Sequence, residues 1–215
     1  MKTIVLIGDS IRMGYQEKVR EQLADWANVW VPEKNGGTSE NVLAHLDQWA
    51  LSRRADVVHI NCGLHDIKKE FDQDTTTVPL SVYTENVRSI LTRLQAETEA
   101  TVVWALTTPV NQDWHHRNKP FDRFETDVVT YNTAASEISR ELGIAVNDLF
   151  SVVNSAGRDN LLLQDGVHFK PEGYALLGES VAECIKRVTG IAEQSHGEAT
   201  SDSAPDGAPS EASHA

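Results

Sequence analysis

Five short β-branched runs, Thr3–Ile7, Val29–Val31, Val57–Asn61, Thr101–Leu106 and Ile144–Val146, alternate along the chain with stretches whose apolar residues recur at helical spacing. Apolar runs of this kind suit strands covered on both faces. The first three intervening stripes are Val19, Leu23 and Trp26; Val42, Leu46, Trp49 and Ala50; and Val87, Ile90, Leu91 and Leu94. Val128, Ala135, Ile138 and Leu142 follow. Tyr174, Leu177, Val181, Ile185 and Val188 close the series, with Pro171 where a first helical turn tolerates proline. Alternating strands and helices imply a parallel sheet between helical layers. The expected fold is α/β, a three-layer α/β/α sandwich around a five-stranded parallel sheet.

The chain has 215 residues, 40% of them apolar, which suits one domain with a substantial core. That domain is expected over residues 1–190. Residues 191–215 hold Ser, Ala, Gly, Pro and acids with almost no large apolar side chain, and are expected to form a disordered acidic tail. The net charge of −13 repels nucleic-acid phosphates and anionic lipid heads, so neutral or weakly charged small molecules are the expected partners. Cys62 and Cys184 read as buried free thiols. The opening MKTIVLIGDS has too short an apolar run for a signal peptide, and no stretch reaches the roughly 18–20 apolar residues of a membrane span, so a cytoplasmic location is expected. The sequence sets no oligomeric state.

In open α/β sheets, sites form at the carboxyl ends of the strands. After the first strand stands Gly8-Asp9-Ser10, where Gly8 permits a tight turn and the Ser10 N–H, near a helix start, can stabilise an oxyanion. A simple helix cap by Asp9 or Ser10 explains the same residues. After the second strand comes Asn35-Gly36-Gly37-Thr38-Ser39, either a capped turn or a loop exposing the Gly37 N–H. After the third comes Gly63-Leu64-His65-Asp66, and after the fifth, beyond a connection, Asp165-Gly166-Val167-His168. In the last, a carboxylate can fix the imidazole tautomer and leave the other nitrogen free as a base. Together these segments can supply a nucleophile, a base, an orienting acid and oxyanion donors.

These four segments resemble, in order, the four sequence blocks of the SGNH/GDSL hydrolases. GDS at residues 8–10 is similar to the nucleophile block, with Ile11 in place of the usual Leu. The resemblance implies a flavodoxin-like fold and a serine esterase with Ser10, Asp165 and His168 as catalytic triad. Ser10, Gly37 and His65 would form the oxyanion hole. His65 stands where the family has Asn; its ring N–H can serve in that role, or the chain is a branch with weakened catalysis. The implied reaction is cleavage of a carboxylic ester through an acyl-enzyme on Ser10, the substrate being a small or carbohydrate ester such as an acetylated sugar. Acyl transfer by the same triad and a ligand-binding role remain alternatives. A phosphate-binding flavodoxin-like module would leave Asp165 and His168 unexplained.

The stretch Thr107–Phe124 reads as a long polar connection after the fourth strand. With Asp9, its Trp114, His115 and Arg117 are candidate substrate-binding residues. The adjacent His115 and His116 diverge and lack a third ligand, so neither a metal nor another cofactor is expected. His59, within an apolar strand, reads as a core residue.

Overall fold

A computed structural model of the chain describes residues 1–191. The expected tail lies, from residue 192 onward, outside the described residues. Five strands, β1 (Lys2–Ile7), β2 (Ala27–Trp30), β3 (Val57–Ile60), β5 (Thr101–Ala105) and β7 (Ala145–Asn147), form one parallel sheet in the order β2-β1-β3-β5-β7. This is the expected α/β/α sandwich. Each strand falls on its β-branched run, displaced by at most two residues at either end.

Helix α1 (Ser10–Leu23) packs on α8 (Pro171–Val188), as does α6 (Leu149–Ser155). α2 (Ser39–Ala44) packs on α3 (Leu80–Glu97), which packs in turn on α5 (Glu125–Glu141). Ile4, Val5, Leu6 and Ile7 of β1 are completely buried, as strands covered on both faces require. Each such side chain contributes about 1.5–3 kcal/mol through burial. Val87, Ile90, Leu91 and Leu94 of α3 are also completely buried, so the helical stripe is the core face. Cys62 and Cys184 are buried and free. His59 is completely buried beside Asn147 Nδ2 at 3.2 Å, and burial pushes its pKa down to about 4.

Three regions differ from the expectation. Thr107–Phe124 is not merely a polar connection. It contains α4 (Gln112–Asn118), whose cap Asn111 accepts from the Trp114 N–H at 3.1 Å. It also contains β6 (Phe121–Asp122), antiparallel to β4 (Lys69–Glu70). Two-residue strands leave no periodicity to read. The stripe around Val42–Ala50 is likewise split, α2 giving way to a single π turn at Asp47–Leu51. Beyond β7 the chain adds α6 and the one-turn α7 (Arg158–Leu161) before it reaches Asp165.

Candidate active site

Asp9 caps α1, accepting from the Ile11 N–H at 2.9 Å. Ser10 is therefore the first helical residue, at the carboxyl end of β1. Its hydroxyl stands 2.9 Å from Nε2 of His168. His168 Nδ1 lies 2.6 Å from Asp165 Oδ2. The other carboxylate oxygen accepts from the N–H groups of Val167 at 3.1 Å and His168 at 2.9 Å. With Nδ1 donating to the carboxylate, Nε2 is left to accept the Ser10 proton. Burial pushes Asp165 up, but the bonds from the His168 ring and the two backbone N–H groups outweigh it and hold the acid well below its ordinary value.

The segment carrying Asp165 and His168 is a tight turn docked on α4, where the Asn111 N–H donates to the Gly166 carbonyl at 2.8 Å and Asn118 Nδ2 to the Gln164 carbonyl at 2.8 Å. Leu163 N–H donates to the His168 carbonyl at 2.7 Å, and Leu162 bridges to Phe169. Gly166, between acid and base, has φ 71°, and a Cβ there would lie 2.3 Å from the Asn111 carbonyl oxygen. Only glycine fits both demands.

The opposite side of Ser10 is assembled from separate loops. Ile7 of β1 pairs with Ile60 of β3, so the loops after these strands leave the sheet side by side. Gly36 N–H donates to the Gly8 carbonyl at 2.9 Å, and a Cβ on Gly36 would stand 2.7 Å from that oxygen. The buried Arg12 donates to the Pro32 and Lys34 carbonyls at 3.2 and 3.1 Å, tying the same loop to α1. Asp66 receives the Ser39 N–H on both oxygens, at 2.9 and 3.1 Å, and joins the loop after β2 to the loop after β3. Burial pushes the pKa of Asp66 up to about 6.

The three expected oxyanion donors are in different states. The Ser10 N–H has no acceptor among the described residues. The Gly37 N–H is taken by Asn35 Oδ1 at 2.8 Å, so an oxyanion reaches it only by displacing that carboxamide. The His65 ring makes no hydrogen bond among the described residues and shares a cavity of about 290 Å³ with Ser10 and His168. Burial lowers the His65 pKa, and Arg123, His168 and Lys68 add to the effect against Asp9. A neutral imidazole keeps one N–H to donate.

The four expected substrate contacts do not gather at this cavity. Asp9 is 1% exposed and His115 is completely buried, so neither offers surface to a ligand. Asp9 is committed to the helix cap, and His115 Nδ1 lies 2.9 Å from the Asp165 carbonyl oxygen, to which it donates. Trp114 packs against the core, and Arg117 lines a separate recess with His116 and Phe124. Formation of α4 is the reason, because it turns His115 inward and Arg117 away. The cavity wall at Ser10 is built instead by Asn35, Leu64, Lys119, Phe121, Arg123 and Val167. Sequence reasoning missed Arg12, Lys119 and Arg123, and assigned no role to Asn35 or Asp66 within the segments that carry them. One available signal was Arg12, a charge on the inward face of an amphipathic helix.

The fold and the Ser–His–Asp arrangement define a hydrolase-type site. Residues 6–176 match the family model of the GDSL-like Lipase/Acylhydrolase family, and the chain belongs to that family. The chain is 26% identical over 118 residues to the GDSL esterase/lipase CPRD49 of Arabidopsis thaliana, a match covering 51% of this chain and 45% of that protein. It thus spans about half the length of the curated relative it matches. A lipase/acylhydrolase from Enterococcus faecalis superposes with a TM-score of 0.73 at 25% identity, over 87% of this chain and 97% of that one. An acetylxylan esterase from Geobacillus stearothermophilus superposes with a TM-score of 0.68 at 17% identity, over 86% of this chain and 94% of that one, a likeness of fold. Among the described residues, no helix is long and apolar enough to cross a membrane.

Proposed function

We propose that this chain hydrolyses carboxylic esters through an acyl-enzyme on Ser10. The observation that carries the reading is the unbroken relay from Ser10 Oγ to His168 Nε2 at 2.9 Å and from His168 Nδ1 to Asp165 Oδ2 at 2.6 Å. His168 takes the Ser10 proton as the oxygen attacks the ester carbonyl. The tetrahedral oxyanion is held by the Ser10 N–H, the His65 ring N–H and, once Asn35 has moved, the Gly37 N–H. His168 then gives its proton to the departing alcohol, leaving the acyl group on Ser10. Water, activated by the same imidazole, releases the acid.

A small acyl group suits the cavity of about 290 Å³. The fold shared with an acetylxylan esterase supports an acetylated carbohydrate as one candidate substrate. The test is hydrolysis of aryl acetates by wild type and Ser10→Ala, together with labelling by a fluorophosphonate. Turnover and labelling confined to the serine form are expected. Equal turnover by the two forms would end the assignment.

A further inference from the structure

The chain carries 32 acidic and 19 basic residues, yet the wall of the Ser10 cavity contains two cations, Lys119 and Arg123, and no acid. Arg123 is 7% exposed. Its Nε donates to the Leu64 carbonyl, and its Nη1 lies 3.5 Å from His115 Nε2. Among the described residues Nη2 has no acceptor, and no carboxylate lies within ion-pair distance of the guanidinium. Asp9 and Asp165 favour its charge from a distance and the Phe121 ring lies 4.9 Å from it, but no carboxylate touches the guanidinium, which leaves one edge open to an anionic visitor. Burial lowers the Arg123 pKa to about 10, so the group keeps its charge at neutral pH.

Lys119 stands at the same wall, paired with an acid of the relay. Its Nζ lies 3.3 Å from Asp165 Oδ2, the oxygen already receiving the His168 ring N–H. That ion pair occupies one ammonium N–H and leaves Lys119 further donors to offer a ligand at the wall. Nearby, Lys68 is paired with Glu70 at 2.6 Å and contributes little net charge.

We propose that the substrate is an ester bearing a carboxylate close to the scissile bond, received by the free edge of Arg123 and by Lys119. The inference rests on the esterase reading and narrows its substrate class. The chain's net charge of −13 weighs against a dianionic phosphate and favours a single carboxylate. A guanidinium edge and an ammonium also match the acceptor geometry of a carboxylate.

Two matched pairs of esters test this with the full chain. Monomethyl succinate against methyl pentanoate places the charge on the acyl side. 4-Acetoxybenzoate against its methyl ester places it on the alcohol side. In at least one pair, wild type should favour the charged member in kcat/KM by about tenfold or more, the scale of one charge-assisted hydrogen bond. That ratio should fall by about tenfold in Arg123→Gln and in Lys119→Gln, and should shrink with added salt. Because each readout is a ratio within one variant, a general loss of activity through the Leu64 or Asp165 contacts cancels. Hydrolysis of the neutral esters with no charge preference in either pair would overturn the inference while leaving the esterase assignment standing. A preference that survives both substitutions would overturn it as well. Absence of Ser10-dependent turnover of all four esters, with aryl acetates also inert, would remove the esterase reading and this inference together.

Discussion

The two sides of Ser10 are held by different means. The relay side is local: Asp165 and His168 sit three residues apart in one turn, and the carboxylate binds the backbone of the residues it serves. The donor side is tertiary. Gly36 hangs from Gly8, Arg12 grips the Pro32 and Lys34 carbonyls, and Asp66 holds Ser39 across 27 positions of sequence. The acid and base keep their mutual geometry through these short-range bonds, whereas a hole assembled from loops keeps its geometry only while the cross-loop bonds hold. The relay is therefore expected to be robust and all-or-none, and the donor side to be graded and tunable.

The largest effect should come from breaking the relay. Ser10→Ala or His168→Ala should lower kcat on an aryl acetate by about 10⁴–10⁶, with little change in melting temperature. A loss of less than tenfold in either would show that the two groups do not act as one unit. Asp165→Asn keeps the shape but loses the carboxylate, and should cost about 10³–10⁴ in kcat. Because native-state bonds hold Asp165 below its unfolded value near 3.8, its stabilising contribution is complete above that value. It is lost as pH falls toward the folded pKa, so thermal melts of wild type and Asp165→Asn should converge in acid. Parallel curves down to about pH 2 would contradict that linkage.

The donor side should answer more softly. His65→Ala should lower kcat by about 10²–10³, the usual cost of one oxyanion donor, while His65→Asn should retain or improve turnover. A His65→Ala enzyme as fast as wild type would remove the imidazole from the hole. Smaller still is the effect expected from Asp66. Burial raises its folded pKa to about 6, so the native state favours the protonated acid. The stability this confers is present below the unfolded value near 3.8 and declines as pH rises through about 6. The melting temperature of wild type relative to Asp66→Asn should therefore drop between about pH 4 and pH 7, by about 2–4 °C per kcal/mol. A constant difference across that interval would mean that Asp66 has no raised pKa.

The same contrast explains how far the sequence could be read. The DGVH turn is legible because its partners are three residues apart, and GDS is legible because a cap and a strand end are local. The parallel sheet is legible because Ile4–Ile7 and the stripe Val87–Leu94 bury in the periods their spacing requires. The occupation of the Gly37 N–H by Asn35 was not legible, since it depends on one side-chain rotamer. Nor was α4, whose polar text QDWHHRN hides a helix stabilised by the Asn111 cap and the burial of His115. That helix also explains why Trp114 and Arg117 miss the cavity. The net charge of −13 favours neutral or weakly charged ligands, and as a sum over the surface it does not reveal that Lys119 and Arg123 gather at one wall.

The small ribbon of β4 and β6 joins just two residues from each strand, Lys69 to Asp122 and Glu70 to Phe121. It nevertheless carries Phe121 and flanks both Lys119 and Arg123. The selectivity proposed for the site thus rests on a short ribbon outside the five-stranded parallel sheet. On the proposed reading, a change of side chains along that ribbon would redirect which esters enter while Ser10, His168 and Asp165 stayed where they are.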